Sequence, residues 1–411
     1  SRCATWRWGE NRAHKNNTEK SSGHVVRREK SRMDDDDDDE AQEHKGNAKQ
    51  RQRGLDATAQ CLAISAEWAC CVVGSKVWLL RMADQSLTSL DLSTASCACF
   101  DASGTRLLVG GDDKKVILYE TLLTDKAATR SWTASKKIGR VAFSPCGQTA
   151  MWADLFGEVH GVALSDADAA PELVLGHLSP VSQMTFTSCG GALLTSDREG
   201  HVRSSLWPHA FVIECYYLWH TKPLLLLIPL VSSPLILTAA ADGYEVCAWR
   251  LHGGALLNRF PAAQLLAGCS GNGAAPGSAL AEAGANVAAV ACACEVSTMQ
   301  LVAIGFAGRQ SISFCRPDCE WDASAAQLLP QPDLECGISG EPLAMAHNAS
   351  SSFLCVLLRG GTGLVLLPEA TGGSGFNAKA AIVVSLDPGP TAPPTADDAS
   401  ASIASKKPKL A

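Results

Sequence analysis

The chain has 411 residues, 46% hydrophobic and 19% charged, with a formal net charge of −7. That length suits two or three average domains or one large all-β or α/β domain, and ordinary Gly and Pro usage excludes collagen and a wholly disordered chain. The 17 Cys are scattered through apolar runs without any C-x-x-C spacing, which argues against zinc ribbons and thioredoxin-like motifs and reads as reduced thiols packed in a core.

Residues 1–53 hold 13 Lys/Arg and 11 Asp/Glu, including six Asp at 34–39, and show no apolar period. They predict a disordered charged tail, bounded at 1–55. The remaining chain carries 22 basic and 31 acidic groups, a net of −9. A body that acidic repels phosphate, so a role with nucleic acid requires a local basic patch or a basic partner.

After the tail comes a repeat. CFDASG ending at Gly104 recurs as AFSPCG ending at Gly147 and TFTSCG ending at Gly190, so Phe100, Phe143 and Phe186 are 43 residues apart. Val116, Val159 and Val202 follow at the same period, each after an Asp-containing turn, and Val246 extends the series at 44. Two anchors sharing one period of 40–45 residues match the length of a WD-type blade. Each unit reads as short strands separated by Gly and Asp turns. Weaker copies at 59–81, 286–316 and 334–367 bring the count to seven. The fold class is therefore all-β: a seven-bladed WD-repeat β-propeller with disordered N- and C-terminal tails. The propeller is placed at 56–370, with an insertion at about 262–285, and a terminal strand is expected to complete another blade and close the ring.

The apolar run at 224–230 is about half the roughly 20 residues that a membrane helix needs, so no membrane partner is expected. Residues 371–411 predict a second disordered tail. Lys406-Lys407-Pro408-Lys409 within it looks like a short nuclear-import signal, which gives the expectation of a nuclear protein.

Leu175-Gly176-His177 opens the fourth unit, as GH opens many WD repeats, and His177 is expected to hold the Asp turn of its own blade. Gly271-x-Gly273-x-x-x-Gly277 imitates a dinucleotide loop. It lacks a β-rich approach and the space for a doubly wound domain, so no cofactor is expected there. Cys97-x-Cys99 and Cys292-x-Cys294 lack His or acidic partners at ligand spacing, so no metal is expected. The charged turn running from Thr195 to Arg203 is either a solvated face or a docking surface.

Residues 173–257 resemble the non-catalytic WD-repeat subunit of eukaryotic tRNA guanine N7-methyltransferase. That family shows L-G-H-(L/V)-S, then D-R-(D/E)-x-K-(I/V)-R, then I-E with L-G-H-T, and a G-D-G stretch ending in Trp. The matching residues are Leu175, Gly176, His177, Ser179, Asp197, Arg198, Glu199, Val202, Arg203, Ser205, Ile213, Glu214, Leu218, His220, Thr221, Asp242, Gly243 and Trp249. Two departures stand out: Trp219 replaces the Gly of L-G-H-T, and His201 replaces the family Lys.

The resemblance implies a non-enzymatic scaffold with no cofactor of its own. Its partner would be a catalytic subunit, dependent on S-adenosylmethionine and joined to it as a heterodimer. That subunit would form 7-methylguanosine in the tRNA variable loop, with tRNA met mainly through the complex. The partner-binding residues expected are Asp197, Arg198, Glu199, His201 and Arg203; catalytic, cofactor and metal residues are expected to be absent. A general WD-repeat adaptor, such as a ubiquitin-ligase substrate receptor, is the competing reading.

Overall fold

In the computed structural model the described residues are 62–386, apart from 74–75, 91, 93, 121–127, 270–287, 319–324, 351, 360–362 and 371–374. The charged tail, the Gly271–Gly277 motif and the segment at 406–409 lie outside them.

Seven antiparallel sheets follow one another along the chain, six of four strands and one of five. Blades 1 to 7 occupy residues 62–90, 95–133, 138–176, 181–217, 224–261, 290–337 and 342–385. The first strand of each sheet touches the first strand of the next, and that of blade 7 touches that of blade 1, so the ring is closed.

The 43-residue repeat is the repeat of the blades. Phe100, Phe143 and Phe186 end the first strands Ala95–Phe100, Ile138–Phe143 and Val181–Phe186. Gly104, Gly147 and Gly190 then adopt left-handed φ of 73°, 68° and 72°, a conformation that Gly takes without cost. Val116, Val159, Val202 and Val246 are buried near the start of each third strand, where blades pack face to face. Nine of the fourteen described cysteines are buried, eight of them within these sheets. Burial lifts Cys97 to about 11, so its thiol stays protonated and packs as a small apolar group.

Three points differ from the sequence reading. The propeller does not stop at 370: Ile382–Ser385 pairs with Gly363–Pro368 and supplies the outer strand of blade 7. A short β-branched stretch beyond a loop lacks the repeat's anchors, which hides it from a period count. The insertion does not begin as a loop either. Ala262–Cys269 forms helix α1, whose buried Ala262, Leu265 and Cys269 join the cluster between blades 5 and 6.

Among the described residues no strand exchange closes the ring either. Blade 1 is made wholly of strands within 62–90, and blade 7 of strands within 342–385. The seam is instead a side-chain cluster in which Cys71 and Leu80 pack with Leu357, Leu364 and Leu366. Apolar burial at ~25 cal/mol per Å² supplies the closure that strand exchange would otherwise add. Among the described residues no helix is long and apolar enough to cross a membrane.

Candidate partner-binding cleft on blade 4

The turn between the second and third strands of blade 4 is organised by Asp197. Its Oδ1 accepts from the backbone N–H of Glu199 at 3.0 Å and of His201 at 2.9 Å. Asp154 does the same one blade earlier, toward Phe156 and Glu158. Gly200 completes the turn with φ 89°, where a Cβ would meet the His220 carbonyl at 2.7 Å. Asp197 Oδ2 faces His201 Nδ1 at 3.1 Å and His177 Nδ1 at 3.8 Å, and His177 Nε2 pairs with the Thr195 hydroxyl at 2.7 Å. His177 thus holds its own blade, as its place in the repeat predicts. Burial, and then the Arg203 cation, depress its pKa to about 4, so the ring is neutral in the fold at neutral pH.

The five expected partner residues separate into two groups. Asp197 is 5% exposed and its carboxylate is committed to the turn, so it shapes the site from within. Arg198, Glu199 and His201 are exposed on the rim. Arg203 is 8% exposed and forms the floor of a cleft of about 480 Å³, bounded by Gly176, Leu178, Glu199, His201, Tyr216 and Leu218 among others. Arg198 does not line it.

Arg203 is the unusual member. Its Nη1 donates to the Gly176 carbonyl at 3.1 Å, while Nε and Nη2 are buried with no acceptor. The Tyr216 phenol on the paired strand also interacts with the guanidinium, at a geometry that leaves Nε and Nη2 without a hydrogen-bond acceptor. Burial accordingly lowers the pKa of the guanidinium. A buried cation without an anion costs several kcal/mol, and a planar fork with free N–H groups suits a carboxylate. Exposed Leu178 and Leu218 stand at the mouth.

Blade 5 carries the same framework with a different rim. Trp249 Nε1 donates to the Thr238 hydroxyl at 2.8 Å, and that hydroxyl pairs with His220 Nε2 at 2.8 Å. Trp219 stands where blade 4 has Gly176. Its indole N–H donates to Glu245 at 2.6 Å, and the Arg259 guanidinium lies 4.2 Å above its ring. His220, Glu245 and Cys247 have ligand atoms within 4.8 Å of one another. Glu245 already serves Trp219 and Arg259, and His220 already serves Thr238, so these groups satisfy one another without an ion.

Sequence reasoning missed Leu178 and Tyr216. Strand register is the signal that finds Tyr216, because Arg203 and Tyr216 are cross-strand partners on one face.

Residues 163–314 match a family model described as the tRNA methyltransferase TRM82 WD40 domain. The non-catalytic subunit wdr4 of tRNA (guanine-N(7)-)-methyltransferase from Xenopus laevis is 31% identical over 147 residues, covering 36% of this chain and 37% of that protein. The corresponding subunit TRM82 of Meyerozyma guilliermondii is 30% identical over 122 residues, covering 28% of this chain and 29% of its own length. The chain thus spans well under half of each curated relative. A chain in the crystal structure of the mitotic checkpoint complex aligns over 73% of this chain and 86% of its own, with a TM-score of 0.57 at 14% identity, which shows the propeller fold alone. The Cps50 (Swd1) propeller of Myceliophteria thermophila does the same over 74% of this chain and 94% of its own, at 0.54 and 11%. The resemblance read from residues 173–257 is borne out: residues 163–314 match the TRM82 WD40 family model, and the relatives are named as non-catalytic subunits of tRNA (guanine-N(7)-)-methyltransferase.

Proposed function

We propose that this chain is the non-catalytic scaffold subunit of a tRNA (guanine-N7)-methyltransferase, docking its catalytic partner on the rim of blade 4. The observation that carries the reading is Arg203: a buried guanidinium with two unused N–H donors, at the base of an open cleft, inside the stretch shared with the TRM82 family. A carboxylate of the catalytic subunit would enter between Leu178 and Leu218 and pair with Arg203. Arg198, Glu199 and His201 would contact it from the rim.

In this reading the partner binds S-adenosylmethionine, the two form a heterodimer, and the guanosine methylated lies in the tRNA variable loop. Holding the partner in its active conformation is the scaffold's contribution. A protein whose body carries net −9 suits a protein partner before RNA. The Lys/Pro motif at 406–409 supports a nuclear location.

The test is N7-methylation of a tRNA transcript by the catalytic subunit with and without this chain. The reading expects methylation to rise at least tenfold when the chain is added. Equal rates in both reactions would overturn it, and co-purification with ubiquitin-ligase components alone would favour the general adaptor.

A further inference from the structure

Helix α1 continues directly from the outer strand of blade 5, Leu256–Pro261, and packs against blade 6. Buried Ala262 and Leu265 seat it in the cluster between the two blades. Gly268 lets its last turn settle onto the blade 6 strand Gln327–Pro330, where a Cβ would meet the Pro330 ring at 2.6 Å. That close approach places Cys269, the final residue of the helix, over the third strand of blade 6, Ser311–Asp318.

Two thiols meet there. Cys269 Sγ lies 3.9 Å from Cys315 Sγ and donates to the Phe314 carbonyl at 3.8 Å. The two residues are 1% and 0% exposed and stand 46 apart in the chain. Core packing asks only for a small apolar group at each position. It does not require sulfur to face sulfur from two separately anchored elements. The pair is also chemically unequal. A hydrogen bond from the Cys315 thiol holds Cys269 below the usual thiol range, while that bond and burial push Cys315 up. Cys269 is therefore the sulfur that ionises first and attacks.

We propose that Cys269 and Cys315 form a dithiol that peroxide oxidises to a disulfide, stapling helix α1 and blade 5 to blade 6. A disulfide bond of about 2.05 Å needs each sulfur to move by only about 1 Å. In the first step the Cys269 thiolate attacks one oxygen of hydrogen peroxide and the O–O bond breaks. The departing hydroxide takes up the proton that Cys269 released, giving water and a sulfenic acid. In the second step the Cys315 sulfur attacks the Cys269 sulfur and the S–O bond breaks. The hydroxide expelled takes the Cys315 proton as the second water. The two thiols lose two electrons and the peroxide gains them. The link encloses the first two strands of blade 6, Val290–Val296 and Leu301–Phe306. Closing so long a loop removes entropy from the unfolded chain, so the staple resists unfolding. It is independent of the methyltransferase-subunit reading.

The experiment holds the full chain in excess reductant or in hydrogen peroxide, alkylates it under denaturing conditions and maps its peptides by mass spectrometry. Peroxide should yield a peptide pair joining Cys269 to Cys315, two hydrogens lighter than the separate peptides, and dithiothreitol should release it. The oxidised chain should melt about 5 °C higher than the reduced chain. Cys315→Ser should lose both the link and the shift. Cys269→Ser, at the helix end, should do the same and keeps the test open if the strand variant fails to fold. Full alkylation of both residues after peroxide that oxidises the exposed Cys146 and Cys189 would overturn the proposal. So would a link from either sulfur mainly to another cysteine, or a sulfinic acid at Cys269 in place of the bond. A Cys269–Cys315 link that leaves the melting temperature unchanged would refute the staple.

Discussion

Where blade 4 has Gly176, Arg203 and Tyr216, blade 5 has Trp219, Cys247 and Arg259, each at the corresponding place in the repeat. The framework beneath is common: His177 with Thr195 in one blade, His220 with Thr238 in the other, at 2.7 and 2.8 Å. In blade 5 the indole covers the site, Glu245 neutralises Arg259, and the hydrogen bonds close on themselves. In blade 4 the absence of a side chain at Gly176 leaves the cleft open, and Arg203 keeps two donors unused. Blade 5 is finished as an isolated fold; blade 4 leaves two guanidinium nitrogens without an acceptor, which the proposed partner would complete with an anion. Trp219, a departure from the family's Gly, belongs to this closed arrangement.

The largest expected effect breaks the shared framework. Trp249→Ala removes a buried indole and its hydrogen bond to Thr238, and should destabilise the propeller by about 3–5 kcal/mol in urea unfolding. A loss below ~1 kcal/mol would mean that blade 5 is not held as described.

Protonation probes blade 4. His177 has a folded pKa of about 4 against an ordinary 6.5, so it is neutral in the fold. Between those values the unfolded chain binds a proton that the folded chain refuses. Stability should therefore be fully present above 6.5 and fall as pH drops toward 4, by up to about 3 kcal/mol. His177→Gln should flatten that part of the profile, and an identical pH dependence in the variant would contradict the assignment.

Converting one rim into the other is a finer test. A Cβ at Gly176 meets no atom within 4 Å, so Gly176→Trp should fold normally while plugging the cleft as Trp219 does in blade 5. Affinity for the catalytic subunit should drop at least tenfold, about 1.4 kcal/mol. Wild-type affinity would place the partner elsewhere. The reverse change, Trp219→Gly, should cost only about 1 kcal/mol of stability, the worth of one exposed cation–π contact and one indole hydrogen bond, and leave partner affinity within twofold. Thermal melts and titration check both parts.

The propeller was legible because its anchors, Phe at the end of the first strand and Val after the Asp turn, recur at a fixed interval. The outer strand Ile382–Ser385 and helix α1 were not, since neither carries an anchor and each takes its place from packing. At the candidate site, the string from Asp197 to Arg203 marked the turn, but sequence alone made its charged residues equivalent. Burial separates them: Asp197 is consumed by backbone N–H groups, while Arg203, two residues beyond His201 on the same strand face, becomes the cleft floor. Tyr216 entered only through cross-strand register.

The account turns on Arg203 serving a partner rather than the fold. The direct measurement is titration of the catalytic subunit onto Arg203→Met, with unfolding of the same variant measured in urea. Replacing an unpaired buried cation by an apolar side chain of similar length should leave stability unchanged or raise it by up to about 1 kcal/mol. Affinity should meanwhile fall 30- to 1000-fold, about 2–4 kcal/mol, as the partner's carboxylate loses its counterpart. Unchanged affinity together with a destabilised propeller would make Arg203 a structural residue and contradict the central claim.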